Sequence, residues 1–463
     1  MSLFQKKAKE SNTNELESGV ISTTRDTAIT LDAYHIWHNR GVELCSEACS
    51  VCWDKKLPNT YEGLVDYLRR RIDTGHTSIL EHSNIVCMVH VPDVQTAALL
   101  EAVDSMRYLH HVCRHYNAFD GYAVLIGGSY RAYRDFFGTC PVGNPVKSAI
   151  TNIVSAYAPK AIFNDQIEAG FIIDRWSSDV PYVPVKDDEC YQKDFNYIDA
   201  IGTMSHILLA NMTNIGMIAQ KVKEFTLERV FSMHDLMPMC TATVCFYDLS
   251  RAGTHQLVRH RNGITQESQR YVDYSEALFT NPADLKPEKY DAEAKYPIDL
   301  KYGDQEAHFD IPLGDLGILI QSIYPQLRHP SDPNLEPLIQ EDARAYLPTN
   351  IKCRKIYITY TMDYLFRFLV LRMAKGAQVE IRNFANTLYD ALTSTCNKDL
   401  IDEPDGMVDL CGYRLAFEAK YGGSPEPEVD EPLSKEEMMG KYKDYLVQSG
   451  EIKPDQKEEK TDE

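Results

Sequence analysis

The chain has 463 residues, of which 44% are hydrophobic, and it carries a formal net charge of −20 with a sequence pI near 5.2. This length and hydrophobic content allow a large core, in one elaborated domain or in two ordinary ones. The acidic balance excludes general binding to nucleic acid, whose phosphates require a broad basic surface.

The N-terminal segment, residues 1–28, is polar and predicts a mobile arm without the apolar core of a signal peptide. No apolar run reaches the ~18 residues that span a bilayer, so no membrane contact is expected. Twelve scattered cysteines favour free thiols, and we therefore expect a cytoplasmic protein. Cys45, Cys49 and Cys52 share one face of a predicted helix, which favours core packing over a metal site.

Helical periodicity is present in YEGLVDYLRRRIDTG, in LLEAVDSMRYLHHVCRHY and in MDYLFRFLVLRMAKGAQVEIRNFANTLYDALTS. HHVCRH, within the second of these, contains ligand-type residues, but its spacing favours a polar helix face over a zinc site. NIVCMVHV and TATVCFYDL are apolar and rich in β-branched residues, which predicts buried strands. No metal is expected at any of these positions.

These elements predict one large α/β (α+β) body at 29–423, with a central mixed or antiparallel sheet flanked by helices. No repeat at solenoid periods is visible. The proline-rich residues 281–312 predict a long loop or surface excursion. Residues 424–463 hold 13 acidic and 6 basic residues and few large apolar ones, so they predict a disordered acidic tail.

Basic and amide side chains are concentrated in RAGTHQLVRHRNGITQESQRYVDYS, Arg251 to Ser275, which holds four arginines and two histidines. Ser250 follows a predicted strand and is a candidate N-cap for a helix that ends near Asn262 and Gly263. Arginines give bidentate contacts to phosphate, and amides read the edges of a planar heterocycle. An isolated basic run usually pairs with surface carboxylates, but this crowding favours a bound polyanion.

Five segments of the chain resemble motifs of the flavin-dependent thymidylate synthases. RHR followed by QESQRY is similar to the family signature of RHR, seven residues and Ser. GHTSILEH, DLSRAGTHQL, ARAYLP and FLVLRMAKGAQVEIRNFA resemble further family motifs, in the correct order along the chain. The resemblance covers Gly75 to Ala385, with insertions at about 92–230 and 281–335.

The resemblance implies an enzyme that methylates dUMP reductively to dTMP with bound FAD. Methylenetetrahydrofolate and NADPH would be the cosubstrates. It also implies a homotetramer with flavin bound where subunits meet.

The resemblance assigns site residues by motif. For the flavin it implies His76, Ser78, Glu81, Arg259, His260 and Arg261. For dUMP it implies Gln256, Ser268, Gln269, Arg270, Glu341, Arg344 and Arg372, of which Arg270, Ser268, Arg372 and Gln256 would be catalytic. Their expected contribution is electrostatic, through stabilisation of charge that develops on the uracil carbonyls. Gln378 and Glu380 are equally well explained as residues that brace helices, and they are left out of the predicted site.

The sequence departs from the family pattern in two places. Only six residues separate Arg261 from Ser268, and Thr361 and Asp363 stand where the family commonly has N-x-R. A carboxylate cannot replace a guanidinium beside a diphosphate. GGSYRAYRDFF resembles a block of longer family members, and its Arg131 is a candidate flavin contact that compensates for this loss. The alternative is that Arg131 is an ordinary helix-surface residue.

Two other functions remain open from the sequence. One is a related flavin-dependent enzyme with another product, such as a hydroxymethylating enzyme. The other is a catalytically silent scaffold that binds a nucleotide, although the complete set of motif residues speaks against it.

Overall fold

The computed structural model describes Gly19 to Asp399, apart from 22–28, 54, 164–197, 203, 211–214, 227–229 and 261–262. The predicted acidic tail therefore lies outside the described residues. So does most of the predicted arm, except for a strand that pairs with Ile29–Leu31. Helices and antiparallel strands together form the described part, which confirms the predicted mixed fold class.

Thirteen strands are present in the described residues. They are β1 Gly19–Ile21, β2 Ile29–Leu31, β3 Ala33–His38, β4 Ile85–Pro92, β5 His110–Tyr116, β6 Gly121–Gly128, β7 Ile198–Ile201, β8 His206–Ala210, β9 Thr241–Ser250, β10 Gly263–Gln266, β11 Lys295–Tyr302, β12 Gln305–Pro312 and β13 Lys352–Thr361. Two of these strands, β4 and β9, were predicted from their apolar, β-branched composition.

The same residues contain fourteen α-helices. They are α1 Gly41–Trp53, α2 Tyr61–Asp73, α3 Thr96–Ser105, α4 Tyr130–Thr139, α5 Pro145–Tyr157, α6 Ile215–Thr226, α7 Met233–Leu236, α8 Arg251–Leu257, α9 Pro282–Leu285, α10 Leu313–Gln321, α11 Ile323–Arg328, α12 Gln340–Ala343, α13 Met362–Met373 and α14 Val379–Asp399. Short 3-10 turns at Thr77–His82, Met237–Met239, Val258–His260 and Arg344–Tyr346 carry or adjoin several predicted site residues.

Two antiparallel sheets organise the fold, where the sequence had suggested one. The first has the strand order β3-β4-β6-β5, and the second has the order β10-β13-β9-β8-β7. Helices α13 and α14 pack on one face of the second sheet, and α5 packs on the first.

Each sheet is also covered by a helix from the other half of the chain. Helix α1 follows β3 of the first sheet but packs on the second, and α6 follows β8 of the second sheet but packs on the first. Ala48 of α1 packs against Cys245 and Tyr357 of the second sheet. Helix α6 packs on the first sheet, where Phe225 stacks on Tyr34 of β3 with ring centroids 4.4 Å apart. Both faces of each sheet are thereby buried, so neither sheet is complete without residues from the other half of the chain.

A buried histidine joins the two sheets. Nδ1 of His82 lies 3.0 Å from Oγ1 of Thr359 on β13, and Nε2 lies 2.9 Å from Oγ1 of Thr265 on β10. Burial lowers the pKa of His82 to about 3, so the imidazole is neutral at pH 7. The histidine of the GHTSILEH motif thus holds the turn at Thr77–His82 against the second sheet.

Three predicted elements differ from the structure. HHVCRH is strand β5 and not part of a helix, because pairing with β6 overrides the local helical pattern after Ser105. Residues 281–312 do lie at the surface, but they contain the hairpin β11–β12 in place of a long loop. Strand β11 does alternate apolar with other residues, at Tyr296, Ile298, Leu300 and Tyr302, but the prolines and charges around it also fit a surface loop, and the alternation was missed. The long helical pattern near the C-terminus is broken between α13 and α14.

Protonation of His82 predicts a pH-dependent loss of stability. The pKa of its imidazole is lower in the folded chain than in the unfolded chain, so the unfolded state binds the extra proton as the pH falls. Stability from this residue is complete above about pH 6.5 and declines toward about pH 3. Between pH 8 and pH 5 the wild-type chain should lose about 2 kcal/mol through His82.

Denaturant unfolding of His82→Gln at both pH values measures this loss. The variant should be less stable at pH 8, yet its stability should fall less between pH 8 and pH 5. His255→Gln, at an exposed imidazole, is the matched control. An unchanged pH dependence in His82→Gln would show that His82 does not titrate as inferred.

Candidate functional site

The start of helix α8 is held by a buried carboxylate. Ser250 caps the helix, as predicted, and its Oγ accepts a hydrogen bond of 3.1 Å from the backbone N–H of Gly253. Oε1 of Glu380 accepts the backbone N–H of Ser250 at 2.8 Å. Glu380 is buried and also accepts the hydroxyl of Thr280. Glu380 therefore braces the strand-to-helix turn and is not placed for contact with a ligand.

Arg372 joins three predicted site residues into one cluster. Its Nη1 donates to Oε1 of Gln256 at 3.1 Å, and its Nε donates to Nε2 of His260 at 3.0 Å. Gln256 in turn donates from Nε2 to Oε1 of Gln378 at 2.9 Å. Gln378, which was left out of the predicted site, thus lies directly against it. The helical spacing of Gln256 and His260 on one face is what allows a single guanidinium to reach both.

His260 is uncharged at neutral pH in this environment. Burial lowers its pKa to about 4, and the positive charges of Arg372 and Arg367 act in the same direction. Because Nε2 accepts a hydrogen bond from Arg372, the imidazole proton is on Nδ1. The positive field expected from the RHR triplet must therefore come from its arginines. Arg259 is exposed on the turn Val258–His260, and Arg261 lies outside the described residues.

A second cluster contains the predicted phosphate ligands. Nε of Arg270 lies 3.0 Å from Oε1 of Glu341, and Nε of Arg344 donates to the backbone oxygen of Glu341 at 3.2 Å. Oγ of Ser268 accepts the backbone N–H of Arg270 at 3.2 Å. Both partners of the ion pair are 46% exposed, so water screens it and its contribution to stability is small. The guanidinium of Arg270 is therefore accessible to an anionic ligand. Gln269 is half-buried beside this cluster in sequence.

Aromatic contacts connect this second cluster to His76. The Trp53 ring contacts the His76 ring edge-on at 5.1 Å and stacks on Tyr271 at 6.1 Å. The Arg270 guanidinium lies 5.6 Å from the Tyr271 ring. Trp53 and Tyr271 are absent from the predicted site. The one sequence signal for Tyr271 is its place at the end of QESQRY, and Trp53 has none because it comes from α1.

Arg131 pairs with Glu81 at the edge of the second sheet. The Arg131 guanidinium donates to the Glu81 carboxylate, and the two side chains are 43% and 31% exposed. Burial raises the pKa of Glu81, and Arg131 opposes that shift. The turn that carries Glu81 touches strand β10, since a Cβ added at Gly263 would lie 2.7 Å from the Glu81 backbone oxygen. The pair therefore adjoins the RHR segment. Ser78 is exposed on the same turn.

The two residues that depart from the family pattern contact each other. Thr361 donates its hydroxyl to Oδ1 of Asp363 at 2.6 Å at the start of α13. A carboxylate in the first turn of a helix is stabilised by the helix dipole, which accounts for Asp363 without any ligand.

The described part of the chain offers neither a cluster of metal-type ligands nor a membrane-spanning helix. No group of three or more His, Cys, Asp or Glu residues there could hold a metal ion. No helix there is long and apolar enough to cross a membrane. Cys45 and Cys49 are buried on α1 and Cys52 is half-buried, in agreement with the predicted packing.

The sequence is similar to one protein-family model and to several known proteins. Residues 191–396 match the family model described as thymidylate synthase complementing protein. A flavin-dependent thymidylate synthase of Pyrococcus horikoshii is 31% identical over 230 residues, which cover 48% of this chain and 82% of that protein. One from Nitratidesulfovibrio vulgaris is 32% identical over 147 residues, covering 32% of this chain and 53% of the relative. The chain thus spans about half the length of that relative.

A solved structure of a thymidylate synthase from Helicobacter pylori, with FAD and dUMP, is also similar. The match covers 40% of this chain and 92% of the solved chain, at 16% sequence identity and with a TM-score of 0.28.

Replacement of Arg372 should change the titration of His260. Arg372→Met removes a positive neighbour and a donor to the neutral imidazole, so the pKa of His260 should rise from about 4. Burial remains, and the pKa should stay below 6.5. Arg367→Met, which removes a charge without a hydrogen bond to His260, should cause a smaller rise. Imidazole carbon shifts in histidine-labelled protein measure both, and equal shifts would contradict the hydrogen bond.

Proposed function

Because the chain belongs to the flavin-dependent thymidylate synthase family, we propose that it converts dUMP to dTMP with FAD as its bound cofactor. The observation that carries the proposal is the convergence of the family-motif residues into connected clusters in an acidic chain. Gln256, His260 and Arg372 form one cluster, and Arg270 and Glu341 belong to the other. Methylenetetrahydrofolate as one-carbon donor and NADPH as reductant are proposed from the resemblance.

The donor set fits an anionic cofactor and an anionic substrate. Arg259 and Arg270 are exposed, and Arg131 is 43% exposed, so their guanidinium groups are accessible to phosphate oxygens. FAD, when bound, supplies the reducing equivalents that a methyl group requires. His76, Ser78, Glu81, Arg131, Arg259, His260 and Arg261 would hold it.

Arg270 and Arg344 are proposed to bind the phosphate of dUMP. Glu341 orients Arg270 in the absence of substrate, and the exposed ion pair can rearrange at small energetic cost when a phosphate arrives. A guanidinium then gives the phosphate two parallel hydrogen bonds. Ser268, whose Oγ already contacts the Arg270 backbone, and Gln269 would position the sugar and base.

Arg372 and Gln256 are proposed to stabilise charge on the uracil ring. The guanidinium of Arg372 is fixed by Gln256 and by neutral His260, so it needs little reorganisation when negative charge develops on a carbonyl oxygen. Gln378 limits the rotation of Gln256 from the other side. In this arrangement the side chains bind and orient dUMP, and none of them attacks it.

Assembly and location are proposed on separate grounds. The homotetramer is proposed from the resemblance, and light scattering of the flavin-loaded protein measures it against the chain mass of 52.8 kDa. A cytoplasmic location is supported by nine described cysteines that are free thiols.

An anaerobic assay tests the proposed activity. Purified protein with dUMP, methylenetetrahydrofolate, NADPH and FAD should form dTMP, identified by mass, in a flavin-dependent reaction. Arg270→Ala should raise the KM for dUMP by about 10-fold to 100-fold, because a charged hydrogen bond to the phosphate is lost. Arg69→Ala, at an exposed arginine of α2 outside the site, is the matched control.

Two outcomes would reject the proposal in different ways. A product of hydroxymethyl mass would identify the related enzyme with another product, an alternative suggested by the six-residue gap before Ser268 and by Asp363. Binding of dUMP and FAD with no product would leave the silent scaffold.

A further inference from the structure

The two sheets have the same strand order and the same register. In the first, Tyr34, Met88 and Leu125 lie side by side on β3, β4 and β6, and Val112 on β5 follows. In the second, the corresponding row on β8, β9, β13 and β10 consists of Leu208, Cys245, Tyr357 and Thr265. Leu125 stands four residues before the N-cap Ser129 of α4, and Tyr357 stands four residues before the N-cap Thr361 of α13. The four strands therefore match in order and along this row, although β3 has a bulge between His35 and Trp37 and the second sheet has the additional strand β7.

Contacts between the halves match as well. His82 lies three residues before Ile85 on β4 and contacts Thr359. Met239 lies three residues before Ala242 on β9 and fills the space beside Gly127, where an added Cβ would be 2.6 Å from its Sδ. Ile85 and Ala242 are equivalent in register, as are Gly127 and Thr359.

The helices between the first two strands of each sheet are exchanged in the same reciprocal manner. Helix α1 follows β3 and packs on the second sheet, while α6 follows β8 and packs on the first. Two unrelated halves would not share strand order, register and reciprocal contacts. The arrangement has the pattern of a symmetric dimer whose two subunits are joined in one chain.

We propose that the chain is two copies of one fold and holds a single FAD and dUMP site, built from cationic residues of both copies. This rests on the proposed function. The first copy comprises β3 to α5, and the second comprises β8 to α14 with an insertion between β10 and β13. The segment 92–230, predicted as an insertion, completes the first copy and begins the second.

The second copy carries the nucleotide-binding residues, and the first has lost their equivalents. After Gln266 the second copy leaves the sheet, which frees Ser268 and Arg270 for a ligand. At the equivalent place β5 continues in the sheet to Tyr116. The arginine of that stretch, Arg114, is buried in an ion pair with Asp235 at 2.9 Å and is unavailable to a ligand.

Arg131 and Asp363 show the difference in charge between the two copies. Each is the second residue after its N-cap, so they occupy equivalent positions in the two copies. Arg131, from the first copy, lies with Glu81 beside Gly263 and the RHR segment of the second. At the other junction, Asp363 of the second copy lies near His110 of the first copy. His110 is the residue of β5 that corresponds in register to Gly263 of β10. The first junction offers an accessible guanidinium, paired with Glu81, whereas the equivalent position in the other junction holds a carboxylate and no guanidinium.

The stoichiometry of flavin binding tests this arrangement. Purified protein titrated with FAD, followed by flavin absorbance and fluorescence, should bind one FAD per chain. Arg131→Ala should weaken FAD binding by about tenfold or more, and Arg131→Lys should recover part of the affinity. Asp363→Ala, the matched change in the other copy, should leave the affinity unchanged. Circular dichroism and thermal unfolding show that each variant is folded.

The possible results separate this inference from the proposed function. Two FAD per chain, or equal losses in Arg131→Ala and Asp363→Ala, would overturn the single composite site and leave the enzyme assignment in place. Full affinity in Arg131→Ala would overturn the inference that a cation of the first copy contributes to the site. Absence of flavin binding by the wild-type chain would refute the proposed function together with this inference.

Discussion

The exchange of helices between the two sheets is the packing constraint on which the rest of the structure depends. Each sheet is apolar on both faces, and one face of each is covered by a helix from the other half of the chain. The turn with His82 is held against β10 and β13 by the same arrangement. A change that separates the sheets would therefore expose two cores and disconnect the Glu81 turn from the RHR segment.

Electrostatics in the site depend on that packing. The chain is strongly acidic, yet the site holds two clusters with arginines, in which Arg372 and Arg270 are each oriented by neutral or anionic neighbours. Arg372 is held by Gln256 and by the uncharged His260, while Arg270 is held by an exposed carboxylate. A rigid guanidinium suits charge that develops during a reaction, and a screened pair suits a phosphate that enters and leaves. The two clusters are thus fitted for different parts of one substrate.

Several features were predictable because they depend on neighbours in sequence. The cap at Ser250, the common face of Gln256 and His260, and the strands β4 and β9 all follow from local pattern. Strand β5 and the β11–β12 hairpin were not predicted. In β5, pairing with β6 decides the conformation. In the hairpin the alternating apolar residues of β11 stand among prolines and charges that also fit a surface loop.

The amino-acid sequence by itself determined the family and the motif residues, because residues of the motif types follow one another in the family's order between Gly75 and Ala385. Only the tertiary structure decided which of these residues meet. Gln378 joined the site through Gln256, and Trp53 and Tyr271 connected His76 to Arg270. The matching of the two sheets is also invisible in the sequence. Backbone pairing and apolar packing maintain a fold with many different side chains, so register persists where residue identity does not.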